Sequence, residues 1–191
     1  MTRRIGLFGG TFDPPHIGHC IIANEVLKRC QLDEVWWIPT STPPHKNKSN
    51  AVSDEARSQM VKLICEENES FHFCGIELER SGKSYTVDTL LSLKKMHLDA
   101  SFSFLIGGDM IAYLPKWHRI EELVKLVEFI GVEREGYSTH SPYEFTKVEV
   151  PSMAVSSSMI RSKLSNGENV RYLVPDNVWN WIRKEGLYGT S

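Results

Sequence analysis

The 191-residue chain predicts an α/β fold of three layers built on a mainly parallel sheet. Three observations point there. Apolar, β-rich runs alternate along the chain with amphipathic segments, the pattern of repeated strand–helix units. Helices between successive strands supply the crossovers that parallel pairing requires. Two of the apolar runs, RIGLFGG and SFSFLIGG, end in paired glycines. In a sheet of this kind ligands bind outside the carboxyl ends of the strands, where the strand order reverses, so both glycine exits are expected on one edge.

Taken in order, RIGLFG is a strand, and HIGHCIIANEVLKRC is a helix with Ile17, Ile21, Val26 and Leu27 near one face. DEVWWIPT is a second strand, followed by the Pro- and Lys-rich loop STPPHKNKSN. Ser53 is an N-cap for DEARSQMVKLICEE, with Asp54 and Glu55 favourably placed in the first turn. FHFCGIELE reads as further extended structure and TVDTLLSLKKMH as a helix. SFSFLIGGD and LVEFIGVERE are later strands, separated from a short strand near TKVEVP by a polar loop around Gly136 to Pro142. Two helices close the chain, from about Ser157 and about Asp176.

Composition narrows the function. The length suits a single compact domain, and no apolar run approaches the ~20 residues that cross a bilayer. The apolar start of the chain breaks at Gly9, too early for a signal peptide, so a cytoplasmic protein is expected. A net charge of −2 offers no global attraction to nucleic acid or to a membrane, and the expected partner is small, with a homo-oligomer left open. Cys20, Cys30, Cys65 and Cys74 lack CxxC spacing and read as buried free thiols.

The chemistry concentrates in GGTFDPPHIGH, Gly9 to His19. Gly9 and Gly10 permit close backbone approach or a positive φ, Pro14 and Pro15 stiffen the turn, and the helix that follows begins with free N–H groups. His16 and His19, three residues apart, project from one side of that helix start, where both imidazoles can donate to an anion the helix dipole already favours. Gly18 leaves room for a phosphate chain. A metal site of Asp13, His16 and His19 is the alternative, with no further ligand cluster to complete it. The dinucleotide fingerprint and the P-loop are both absent. Far downstream, Ser156, Ser157 and Ser158 offer an N-cap and further donors at a helix start, with Arg161 one turn on to grip the same anion.

GGTFDPPHIGH resembles the GxFDPxHxGH signature of the nucleotidyltransferase superfamily, and VSSSMIR, Val155 to Arg161, resembles its ISxTxIR motif with Ser158 in place of the common Thr. Within that superfamily TPPHK (Thr42 to Lys46), SYTVDTL (Ser84 to Leu90), IGGDM (Ile106 to Met110) and LPKWHRIEEL (Leu114 to Leu123) resemble segments of the bacterial nicotinate-nucleotide adenylyltransferases. The resemblance implies a Rossmann-like nucleotidyltransferase fold over a single domain, residues 1–191, whose C-terminal helical part (about 152–191) carries the second phosphate motif. It implies transfer of AMP from ATP to nicotinate mononucleotide, with Mg²⁺ carried mainly by the ATP phosphates.

On that reading ATP is held by Gly9, Gly10, Thr11, Phe12, His16, Gly18, His19, Gly107, Asp109, Ser156, Ser157, Ser158, Ile160 and Arg161. His16, His19, Lys46 and Arg161 neutralise charge during transfer, Lys46 by closing its loop over the phosphates. The acceptor falls to Lys46, Tyr85, Thr86, Trp117 and His118, with Trp117 as a stacking surface for a pyridine ring and Thr86 near its carboxylate. Nicotinamide mononucleotide or another phosphorylated acceptor is an alternative, as is a nucleotide-binding module without catalysis. Asp109 also reads as a helix N-cap and Trp117 also as a core plug.

Overall fold

A computed structural model describes residues 2–40, 52–80, 84–133, 140–151 and 153–190, with only the backbone at Asp109 and Glu133. Lys46 and the rest of its loop, and the first part of the polar loop after Glu133, lie outside the described residues.

Six strands form one all-parallel sheet: β1 (Arg3–Gly10), β2 (Glu34–Pro39), β3 (Phe71–Phe73), β4 (Ala100–Gly107), β5 (Glu128–Glu133) and β6 (Thr146–Glu149), in spatial order β3-β2-β1-β4-β5-β6. The order reverses between β1 and β4. Phe8 of β1 pairs with Leu105 of β4, so two residues further on Gly10 and Gly107 leave the sheet at the same edge. This is the crevice that binds ligands in open parallel sheets.

Alternation along the strands sorts side chains into two apolar layers. Phe8, Val35, Trp37, Leu105, Ile130 and Val148 face one side, covered by α1 (Ile17–Arg29), α2 (Asp54–Glu66), α6 (Ser157–Ser165) and α7 (Asp176–Lys184). Ile5, Leu7, Trp36, Ile38, Phe104 and Phe129 face the other, under α3 (Thr86–Met96), the single turn α4 (Gly108–Ile111) and α5 (Ile120–Leu126). The predicted three-layer α/β architecture is the observed one.

Some expectations change. The buried side of α1 is Ile22, Ala23 and Val26, with Ile17, Ile21 and Leu27 half-buried, because the helix rolls its small Ala23 onto the sheet. FHFCGIELE is a strand only at Phe71–Phe73; beyond it the Leu78 and Glu79 amides turn back to the Gly75 carbonyl, at 2.9 and 3.3 Å. Ser53 caps α2 as expected, its hydroxyl accepting from the Ala56 amide at 3.1 Å. The four cysteines are free and half-buried rather than fully enclosed. Among the described residues no helix is long and apolar enough to cross a membrane.

Candidate active site

The site begins where β1 runs out. Gly9 and Gly10 remain extended, opposite Ile38 and Pro39, and neither takes a positive φ. The left-handed residue is Phe12, at φ 50°. The glycines are needed for space instead: a Cβ on Gly9 would meet Phe104 Cζ at 3.2 Å, and one on Gly10 would meet Phe12 Cζ at 2.9 Å. Phe12 then packs edge-on to Phe8 and His19, with ring centroids at 5.5 and 5.2 Å.

After the cis Asp13–Pro14 bond the chain enters α1, with His16 as the extended N-cap residue. His19, in the first turn, folds back so that its Nδ1 accepts the His16 amide at 3.1 Å, and the two rings stack with centroids 3.7 Å apart. An accepting Nδ1 puts the proton of neutral His19 on Nε2, which is therefore a donor. Gly18 also serves this pair: a Cβ there would lie 3.1 Å from Cε1 and Nδ1 of His16, so the glycine makes room for the imidazole.

The second motif docks on the first. Ser156 caps α6, accepting the Met159 amide at 3.2 Å. Ser157 Oγ donates to the Pro14 carbonyl at 2.9 Å, so this hydroxyl serves the joint between the motifs. Arg161 Nη1 donates to the Asp13 carbonyl at 2.6 Å, and its Nη2 donates to Ser158 Oγ at 3.3 Å. Ile160 is wholly buried in the apolar core, which anchors the helix under this contact.

Across the edge, Gly107 ends β4 and is itself the N-cap of α4, displacing Asp109 from that role into the first turn. Tyr85 occupies the N-cap position of α3 and Thr86 its first residue; the Tyr85 ring lies 4.2 Å from that of His118. Trp117 is half-buried, edge-on to Phe104 at 5.7 Å and to Phe129 at 6.0 Å. The ring is thus partly the core plug, with part of its surface left open. Phe104, which Gly9 accommodates, links it to the end of β1.

Two residues escaped the sequence reading. Arg57, 2% exposed on α2, donates to the carbonyls of Thr11 and Thr40 at 2.6 and 2.7 Å and to Asp54 at 2.7 Å, tying the ends of β1 and β2 together. Its signal was a cation on the apolar stripe Met60, Val61 and Ile64. Tyr188, in the last turn of the chain, donates to Asp13 Oδ1 at 2.7 Å; burial and the Asp13 carboxylate push its phenol well above the usual range, so it is a permanent donor. No periodicity marks it. With Asp13 so engaged and Arg161 Nη1 3.7 Å from its Oδ2, the Asp13–His16–His19 metal alternative loses its carboxylate. Among the described residues no group of three or more His, Cys, Asp or Glu side chains is arranged to hold a metal ion.

The cytidylyltransferase-like family model matches residues 7–163, a span that runs from β1 through the Ser156–Arg161 motif. A "Probable nicotinate-nucleotide adenylyltransferase" of Geobacillus thermodenitrificans is 52% identical over 97% of this chain and 86% of its own length. A protein of the same name from Bacillus cereus is 52% identical over 97% of this chain and 98% of its own. Among solved structures, the Plasmodium falciparum nicotinic acid mononucleotide adenylyltransferase complexed with NaAD superposes with a TM-score of 0.83 at 21% identity, over 99% of this chain and 98% of that one. At that identity it speaks for the fold alone. The shared motifs, their meeting at the switch point of the sheet and the full-length relatives agree: the chain belongs to the cytidylyltransferase-like family, among the nicotinate-nucleotide adenylyltransferases.

Proposed function

We propose that the protein transfers the adenylyl group of ATP to nicotinate mononucleotide, forming nicotinate adenine dinucleotide and pyrophosphate. The observation that carries this reading is the junction of the His16–His19 pair with Arg161 at the β1–β4 edge, beside the Tyr85, Trp117 and His118 aromatic surface.

In this reaction a phosphate oxygen of the mononucleotide bonds to the α-phosphorus of ATP as the bond to the bridging oxygen of pyrophosphate breaks. No enzyme-bound intermediate is required. Two polyanions must be brought together in line, so positioning and charge neutralisation are the protein's main tasks. The Nε2–H of His19 and the start of α1 suit the α-phosphoryl oxygens and the departing pyrophosphate. Arg161 adds a fixed charge from α6. Lys46 and Asp109 belong to the proposal by their motifs, the first as a cation for the phosphates and the second as a contact to the nucleotide.

Mg²⁺ enters with ATP as part of the substrate, since the described donors here are imidazole, guanidinium and hydroxyl groups rather than a carboxylate cage. Trp117 supplies the stacking plane for the pyridine ring, with Thr86 close to its carboxylate. We place this synthesis in the cytoplasm; among the described residues no helix is long and apolar enough to cross a membrane. Pyrophosphate release with ATP, Mg²⁺ and nicotinate mononucleotide tests the reading, with EDTA abolishing it and kcat/KM for the acid exceeding that for the amide. Silence with the acid, or equal use of both acceptors, rejects it.

A further inference from the structure

Asp13 poses a problem for a site that gathers a triphosphate. It is 4% exposed, it sits between Phe12 and the first motif's histidines, and its charge lies beside Arg161, the cation expected to serve the nucleotide. Left to itself such a carboxylate draws a neighbouring guanidinium into a bidentate pair. In the structure the pair is looser than that: Arg161 Nη1 donates to the main-chain oxygen of Asp13 at 2.6 Å, and its ion pair with Oδ2 is long, at 3.7 Å. The close partner of the carboxylate is the Tyr188 hydroxyl, at 2.7 Å from Oδ1.

Tyr188 is placed there at a cost. Its φ of 57° is a left-handed conformation that L-residues avoid, and it lies between two glycines that also take positive φ, Gly186 at 62° and Gly189 at 83°. The Tyr188 ring packs against the apolar core, a task a phenylalanine would perform equally. What the hydroxyl adds is the bond to Asp13. Strained backbone held in place by its surroundings is a mark of functional positions.

We propose that Tyr188 is a positioning residue for nucleotide binding: its hydroxyl occupies one oxygen of Asp13, keeps the Arg161–Asp13 pair from closing, and so leaves the guanidinium available to the phosphates of ATP. The inference rests on the adenylyl-transfer reading for the identity of the nucleotide, but its test does not need turnover. Tyr188→Phe removes the hydroxyl and keeps the ring. Calorimetric titration with MgATP is expected to give a Kd raised about tenfold, the order of one hydrogen bond to a charged group. KM for ATP rises in step, and KM for the acceptor stays within about twofold. In an Arg161→Met background the same exchange adds no further weakening, since it acts through the cation at position 161.

Unchanged ATP affinity in Tyr188→Phe, losses that add in the double variant, or a drop in Tm with wild-type affinity at the assay temperature would each overturn the inference. A wild type that binds ATP yet ignores nicotinate mononucleotide rejects the acceptor assignment alone, and the titrations still decide the role of Tyr188.

Discussion

The two histidines depend on an atom that is not there. A Cβ at position 18 would approach His16 Cε1 and Nδ1 to 3.1 Å, and His16 is 3% exposed with His19 stacked on it at 3.7 Å, so its ring has little space to retreat. Alanine in place of glycine stabilises a helix by up to ~1 kcal/mol on propensity alone. That gain offsets the cost of the tight contact, so Gly18→Ala is expected to leave Tm close to that of the wild type while lowering kcat for pyrophosphate release at least about tenfold by displacing the imidazole. His19→Ala, which removes a donor outright, should cost about 100-fold or more. A Gly18→Ala enzyme with wild-type kcat would show that the ring shifts without consequence. The histidine spacing was legible in the sequence because one helical turn sets it. The glycines were legible as a feature but not in their purpose, since Gly9 makes room for Phe104 on another strand, a partner that spacing along the chain does not reveal.

At the scale of elements, local periodicity was enough where a segment was long and one-sided. α2 read correctly from Ser53 onward because the cap, the acidic first turn and the apolar stripe all agree. α5 escaped because its seven residues hold too few turns to show a period, and its N-cap residue is a left-handed Arg119 at φ 55°. The most informative exception lies within α2 itself. Arg57 is buried on the apolar stripe because two carbonyls at the strand ends, Thr11 and Thr40, have their donor in its guanidinium. Arg57→Met keeps the aliphatic stem and strips both bonds. Two part-buried carbonyls left unpaired should cost ~3 kcal/mol. In a chain of this length that lowers Tm by roughly 10 °C, readable by calorimetry or circular dichroism. Retention of the wild-type Tm would mean that water replaces the guanidinium freely and that the strand ends do not need it.

For the whole molecule the sequence disclosed the layers but not the order β3-β2-β1-β4-β5-β6, which depends on pairings between distant segments. That order is what brings the β1 exit, the β4 exit, α6 and the final turn to one edge, and with it the aromatic end of the site at α3. The link to α3 carries a buried charge. Glu77, 6% exposed, accepts from Thr89 Oγ1 at 2.9 Å and so ties the segment after β3 to the helix that begins with Tyr85 and Thr86. Burial pushes its carboxyl above the ordinary value of 4.5, against the opposing pull of the Thr89 bond and Arg80. The folded chain therefore holds this proton more tightly than the unfolded chain does. Its contribution to stability is greatest below 4.5 and is lost as pH rises through the folded value. Asp99 and Glu168 work in the opposite sense, held low by Arg3 and Lys163, but both are at the surface and screened by salt. Glu77→Gln removes the titration while keeping an acceptor for Thr89. Whatever constant offset the new amide introduces, the difference in Tm between variant and wild type should move in the variant's favour between pH 4.5 and pH 8. Parallel Tm profiles across that range would show that Glu77 ionises in the folded protein as readily as in the unfolded chain, and that the tie to α3 is made without a destabilising charge.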